Sequence, residues 1–301
     1  MTKGVPPGAP SRGVALALMV VAPLLWSIAG VVTRDVEHAG AFEMVFWRSV
    51  FAAAFVAVGC FVIGQRGPWH AARSSGLAGL GSGALWAVMF TAFVVALNLA
   101  STANVLVTMS IAPLLTAFAA YFFLHEPVPA RTWLAVIAAT VGLAWMLGAD
   151  VSALDARQTA GMLIALLVPS ASAANVVMLR RSHARVDMVP AVMIGGVLSA
   201  VVALPFALPF SATGRDIALL ALLGIMQLGL PCMLYVIASR TLFAPELALL
   251  ALLEVLFGPV WAWLGAGEAV SRATLTGGAV VLAALAVNEF VAMRDGSRAR
   301  G

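Results

Sequence analysis

Charge is scarce in this chain. Only 10% of its 301 residues are Asp, Glu, Lys or Arg, and a single lysine, Lys3, stands beside sixteen arginines. A soluble domain carries charge on about a quarter of its residues, so this composition excludes one. The 62% of apolar residues and a mean hydropathy of +1.04 point to an integral membrane protein. Cysteine is almost absent. Cys60 and Cys232 fall in separate apolar stretches with no partner at metal-ligand spacing, which excludes a disulfide framework and reads as packing. The four histidines (38, 70, 125 and 183) lie in or beside polar breaks, and the chain has no Walker loop, HExxH pair or GxSxG elbow. No metal, no cofactor and no covalent chemistry are therefore expected, and the chain is not read as an enzyme.

What is present is a series of apolar stretches, each long enough to cross a hydrocarbon layer of ~30 Å. Ten are expected, at 14–33, 43–63, 76–97, 103–124, 132–149, 158–179, 189–210, 217–238, 244–264 and 273–293. Runs so uniformly apolar do not alternate as barrel strands do, and a bilayer leaves backbone groups no partner but their own helix. The expected fold class is an all-α integral membrane protein of ten transmembrane helices.

The net charge of +4 is read by position rather than as a nucleic-acid footprint. With the N-terminus inside, twelve basic residues fall on the cytoplasmic side, and Arg34, Arg157, Arg215 and Arg272 on the other. Both termini are thus expected in the cytoplasm, with the chain crossing the bacterial inner membrane many times. The opening apolar run is read as a retained first helix.

Self-comparison divides the chain. Shifted by 142 residues, FAAYFFLHEPVPARTWL (118–134) lies over VWAWLGAGEAVSRATLT (260–276), with Glu126 on Glu268 and Thr132 on Thr274. A shift of 145 sets SIAGVVTR (27–34) on SAANVVML (172–179). Two five-helix repeats follow, at 14–149 and 158–293, joined by a periplasmic linker at 150–157 and flanked by tails at 1–13 and 294–301. Five is odd, so the second repeat is inverted relative to the first, the arrangement typical of alternating-access carriers.

The segment LASTANVLVTMSIAPLLTAFAAYFFLHEPVPARTWLAVIAATVGLAWML (99–147) resembles the half-repeat of the drug/metabolite transporter superfamily, in its ten-helix EamA-type branch. YVIASRTLFAPELALLALLEVLFGPVWAWLGAGEAVS (235–271) is similar to it as well. The resemblance implies a basket of ten helices exporting small metabolites or amino acids. It departs from the family pattern at Glu254, where Val255 follows and the proline comes later, at Pro259.

Few polar groups fall within the apolar stretches, and each is a candidate for function. Glu254 lies near the middle of the ninth, on one helical stripe with Phe257, Gly258 and Trp261. A carboxylate bordered by aromatic rings suits an amine on an apolar body, and it also suits carrying a proton. Arg48 either snorkels, pairs with Glu43, or attracts a substrate carboxylate. Asn104 with Thr108, Gln227 with Tyr235, and Ser172 with Asn175 each share a helix face, either as cavity lining or as hydrogen bonds between helices. Trp26, Trp86 and Phe90 offer apolar lining. Pro113, Pro231 and Pro259 fall inside spans and are expected to kink them as gates. Gly277-Gly278 permits close approach, within the chain or between two copies, so the chain is read as monomer or homodimer.

The expected function is secondary export of amino acids or related metabolites by alternating access, with lipid and a small molecule as partners and no nucleic acid. The scarcity of basic residues at mid-membrane argues against phosphorylated substrates. A multidrug exporter of lipophilic cations and a non-transporting scaffold are the alternatives.

Overall fold

A computed structural model of the chain describes residues 9–62, 67–100, 102–126, 128–148, 155–182, 186–266 and 272–298. Among these residues every regular element is a helix. In chain order they are α1 (Arg12–Val32), α2 (Ala41–Val62), α3 (Pro68–Leu99), α4 (Thr102–Met109), α5 (Ala112–Leu124) and α6 (Ala130–Gly148). Then come α7 (Ala156–Ser182), α8 (Val189–Ala207), α9 (Gly214–Ala238), α10 (Ala244–Ala251), α11 (Leu253–Ala266) and α12 (Arg272–Arg298). Glu268, His183 and most of the 150–157 linker lie outside the described residues.

Six of these helices, α1, α2, α3, α7, α8 and α9, are long and apolar enough to cross a membrane. The expectation of ten such helices is met only in part among the described residues. The fourth and ninth apolar stretches are each cut in two, at Ser110–Ile111 and at Leu252, which leaves pieces too short to span alone. Phe61, Val62, Leu77, Val201 and Phe206 are all more than half exposed. Such an apolar outer surface is stable only against lipid.

Local sequence sets the helix starts. Ser11 accepts from Val14 N at the head of α1, and Asp155 from Gln158 N at the head of α7. Thr213 and Asp216 form a reciprocal capping box on α9. Pro68, Pro190 and Pro245 sit in the first turns of α3, α8 and α10, where a missing N–H costs nothing.

Helix packing is dominated by α8 against α2 and α3, and by α12 against α6. Further pairs are α9 with α2 and α1, α7 with α3 and α5, and α1 with α10 and α11. Small residues allow these approaches. A Cβ on Gly195 would lie 3.0 Å from Gly83 O, and one on Gly142 would lie 3.0 Å from Gly277 O. Gly277 and Gly278 are buried, and Gly277 is spent on packing α12 against α6 within the chain.

Three ion pairs gather at the end of the bundle where α1 begins. Arg12 holds Glu246 at 2.9 Å, Arg180 holds Glu126 at 2.8 Å, and Arg240 holds Asp187 at 2.6 Å. Arg180 also donates to the carbonyls of Ser239 and Leu242, at 3.2 and 3.0 Å. At the opposite end the joins include neutral and charged donors. Asn104 Nδ2 donates to Gln158 Oε1 at 2.9 Å, and Arg157 Nη2 donates to Asn98 O at 3.0 Å. His38 faces Asp216 there, at 3.3 Å.

Candidate functional site

Four interruptions of regular helix meet in the middle of the bundle. α1 turns at Ser27–Ile28, just after Pro23, and α7 turns at Leu166. The other two are the cuts between α4 and α5 and between α10 and α11. α9 adds a widened π stretch at Leu223–Gly229, a distortion that marks functional sites often. In a bilayer, irregular backbone is tolerated only where protein or a cavity covers it.

A cavity of about 180 Å³ lies there. Trp26 reaches it from the turn in α1, Ser110 and Ala112 from the α4–α5 cut, and Leu252 and Glu254 from the α10–α11 cut. Pro169, Ser172 and Asn175 line it from α7, and Gln227, Cys232 and Tyr235 from α9. α3 adds an apolar stretch of wall with Trp86, Met89, Phe90 and Phe93.

Two charged side chains line this space. Arg48, seven residues into α2, is 6% exposed. Its Nη2 donates to Gln227 Oε1 at 2.6 Å, and Gln227 Nε2 in turn donates to Trp26 O at 3.4 Å. Arg48 does not pair with Glu43. That carboxylate accepts from Ser211 N, Ser211 Oγ and Ala212 N, each at 2.9 Å, and ties the 208–213 turn to α2. Glu254, in the first turn of α11, is half-buried and has no hydrogen-bond or ion-pair partner among the described residues. Arg48 and Glu254 thus share a cavity without meeting. A charge taken out of water is costly unless something compensates it, so each is poised for a group of opposite sign.

The aromatic wall is continuous. Trp26 and Tyr235 ring centroids are 5.8 Å apart, Trp86 stands edge-on to Tyr235 at 6.1 Å, and Phe90 lies 5.6 Å from Trp86. Asn175 Oδ1 accepts from Ser82 Oγ at 2.5 Å, which joins α7 to α3 beside the cavity.

Eight of the twelve residues singled out from sequence therefore line one space: Trp26, Arg48, Trp86, Phe90, Asn175, Gln227, Tyr235 and Glu254. The other four do not. Phe257 and Trp261 share Glu254's stripe, but the cavity sits at the cut preceding α11 and the stripe runs away from it. Trp261 instead bonds Ser27. Asn104 and Thr108 are turned aside because α4 faces the cavity with Leu106 and Met109. Asn104 bonds Gln158, and Thr108 Oγ1 bonds the Asn104 carbonyl at 2.7 Å. Met89, Phe93 and Pro169 were not singled out. Apolar residues in an apolar span carry no signal of which face they present.

The prolines behave differently from one another. Pro113 and Pro231 occupy first turns, after the α4–α5 cut and after the π stretch. Pro259 lies within α11, and the break near Glu254 comes at Leu252, before it rather than at it. The side chain of Pro259 lies outside the described residues.

Residues 13–148 match the EamA-like transporter family. Among solved structures, one described only as a crystal structure of a protein superposes with a TM-score of 0.80. It covers 94% of this chain and 99% of its own, at 21% identity, a likeness of fold. No curated protein matches the sequence.

Proposed function

From a chain whose residues 13–148 belong to the EamA-like transporter family, a family of small-molecule membrane transporters, we propose a secondary carrier that exports amino acids or closely related metabolites by alternating access. The observation that carries this reading is the central cavity, in which an unpaired carboxylate and a buried guanidinium stand apart on aromatic walls. Helices interrupted at mid-bilayer around such a space are the usual setting of a carrier's substrate site.

Two five-helix repeats of opposite orientation remain our reading of the architecture, and the packing supports it. Advancing each partner by one half of the chain turns α3 on α7 into α9 on α1, and α3 on α8 into α9 on α2. It also turns α5 on α7 into α10 and α11 on α1, all pairs that pack closely. The cut between α4 and α5 corresponds to the cut between α10 and α11, and α1 and α7 are each interrupted by a turn. Interruptions in matching places let the two halves exchange roles about a fixed site. The expected orientation remains both termini in the cytoplasm of a bacterial inner membrane.

Cavity size favours a metabolite over a drug. Drug-sized ligands occupy pockets of roughly 300–1,000 Å³, whereas this one is about 180 Å³. Phosphorylated substrates are disfavoured because Arg48 is the lone cation among the described residues that line it.

The test is counterflow of a labelled amino-acid panel in proteoliposomes, wild type against Glu254→Gln, at two internal pH values. Loss of a charge-assisted contact worth about 1.5–3 kcal/mol corresponds to roughly 10- to 100-fold weaker uptake. A variant that also loses pH dependence identifies Glu254 as the proton carrier. Equal transport by both proteins would assign Glu254 a purely structural role.

A further inference from the structure

The amino-acid reading leaves open which groups distinguish a zwitterion from a simple amine. Glu254 alone selects an ammonium group, and a carrier of lipophilic cations needs nothing more. The rest of the cavity lining bears on that choice.

Two donors on its lining residues have no acceptor among the described residues. Arg48 is 6% exposed and Trp86 is 5% exposed, both line the cavity, and neither Arg48 Nε nor Trp86 Nε1 has a hydrogen-bond partner. A buried N–H left unpaired costs about 1–3 kcal/mol, and an unpaired guanidinium charge costs more. Native interiors satisfy nearly all such groups, so two orphans on residues lining one cavity mark a place where a ligand completes the bonding. They require an acceptor. A carboxylate supplies two oxygens and the negative charge that Arg48 lacks, since its one bonded partner, Gln227, is neutral.

Resting on the carrier reading above, we infer that Arg48 Nε and Trp86 Nε1 together receive the substrate's carboxylate, and that Gln227 is the positioning residue that holds the guanidinium ready for it. Gln227 holds the guanidinium through Nη2 and is braced by Trp26 O, while Nε–H finds no acceptor among the described residues. A neutral amide suits this task. A carboxylate at position 227 would neutralise Arg48 permanently and compete with the substrate. Glu254 lies on the same cavity, so ammonium and carboxylate find complementary charge at separate points. The site thereby selects a zwitterion over the corresponding amine or amide.

The experiment compares binding of L-leucine and L-leucinamide to the purified full chain by titration calorimetry. The two ligands differ in whether the carboxyl end carries a charge. Wild type is expected to favour leucine by roughly 10- to 100-fold, as one charge-assisted hydrogen bond provides. Arg48→Gln and Gln227→Glu should each bring that ratio close to one while leucinamide binding persists, which also reports that the variant is folded. Trp86→Phe keeps the ring and removes the donor, and should cost leucine alone about 3- to 10-fold. A wild-type ratio near one, or a preference that survives Arg48→Gln, overturns the inference and leaves the carrier reading standing. Binding of neither ligand to wild type overturns both.

Discussion

Gly224 is the position from which one methyl group reaches the centre of the site. It lies in the π stretch of α9, where a Cβ would meet Arg48 O at 2.6 Å, Phe51 Cβ at 2.6 Å and Ala52 N at 3.2 Å. Two of these atoms are backbone and the third is the first carbon of a side chain, so no rotamer change relieves the contact. Restoring ordinary van der Waals distance, 3.4 Å, requires α2 to retreat from α9 by up to 3.4 − 2.6 = 0.8 Å. The Arg48–Gln227 bond bridges the same two helices at 2.6 Å, and lengthening it by that amount takes it beyond the usual hydrogen-bond range. Overpacking of this kind costs about 1–3 kcal/mol. Gly224→Ala should therefore lower the melting temperature of the detergent-purified protein, followed by tryptophan fluorescence, and weaken substrate binding as well. Gly258→Ala is the control, because a Cβ there meets nothing within 4 Å. Equal stability and equal binding in the two variants would refute the claim that the α2–α9 contact positions Arg48.

Two other perturbations separate structural from functional roles. Arg180→Ala leaves Glu126, 12% exposed, without its ion pair and frees two carbonyls, so a loss of about 3–5 kcal/mol is expected. Arg12 is 35% exposed although its partner Glu246 is only 9% exposed, so water can replace part of what the guanidinium supplied and Arg12→Ala should cost less, about 1–3 kcal/mol; equal falls in melting temperature would contradict this ordering. Trp261→Phe removes the bond to Ser27 Oγ and should cost about 0.5–1.5 kcal/mol of stability with substrate affinity unchanged. A large drop in affinity instead would put Trp261 back at the substrate.

Much of this was legible in the sequence because polar residues in apolar spans are conspicuous. Glu254, Arg48, Gln227 and Asn175 could be found by their chemistry alone, and all four line the cavity. Helical spacing failed where it assumed a continuous helix. Phe257 and Trp261 follow Glu254 at the right interval, yet the cavity lies at the cut beside Leu252, and no residue at 251–253 is a recognised breaker. Pro113 follows its break closely, whereas Pro259 stands several residues past the corresponding one. Asn104 misled in another way. Its type is equally suited to a cavity or to a bond with a neighbouring helix, and only the placement of Gln158 decides between them. The Arg48–Glu43 pairing looked natural at a distance of five residues, but Glu43 is claimed by backbone donors 168 and 169 residues away.

The ion pairs gathered where α1 begins give that end of the bundle a built-in sensitivity to its medium. Dissolved ions weaken attraction between opposite charges over a Debye length that shrinks from about 30 Å at 0.01 M to about 3 Å at 1 M. Arg12 is the most exposed of the three guanidinium groups and feels this first. Ionic strength then acts as a dial on how firmly α1, α10 and the ends of α5, α7 and α9 are laced together.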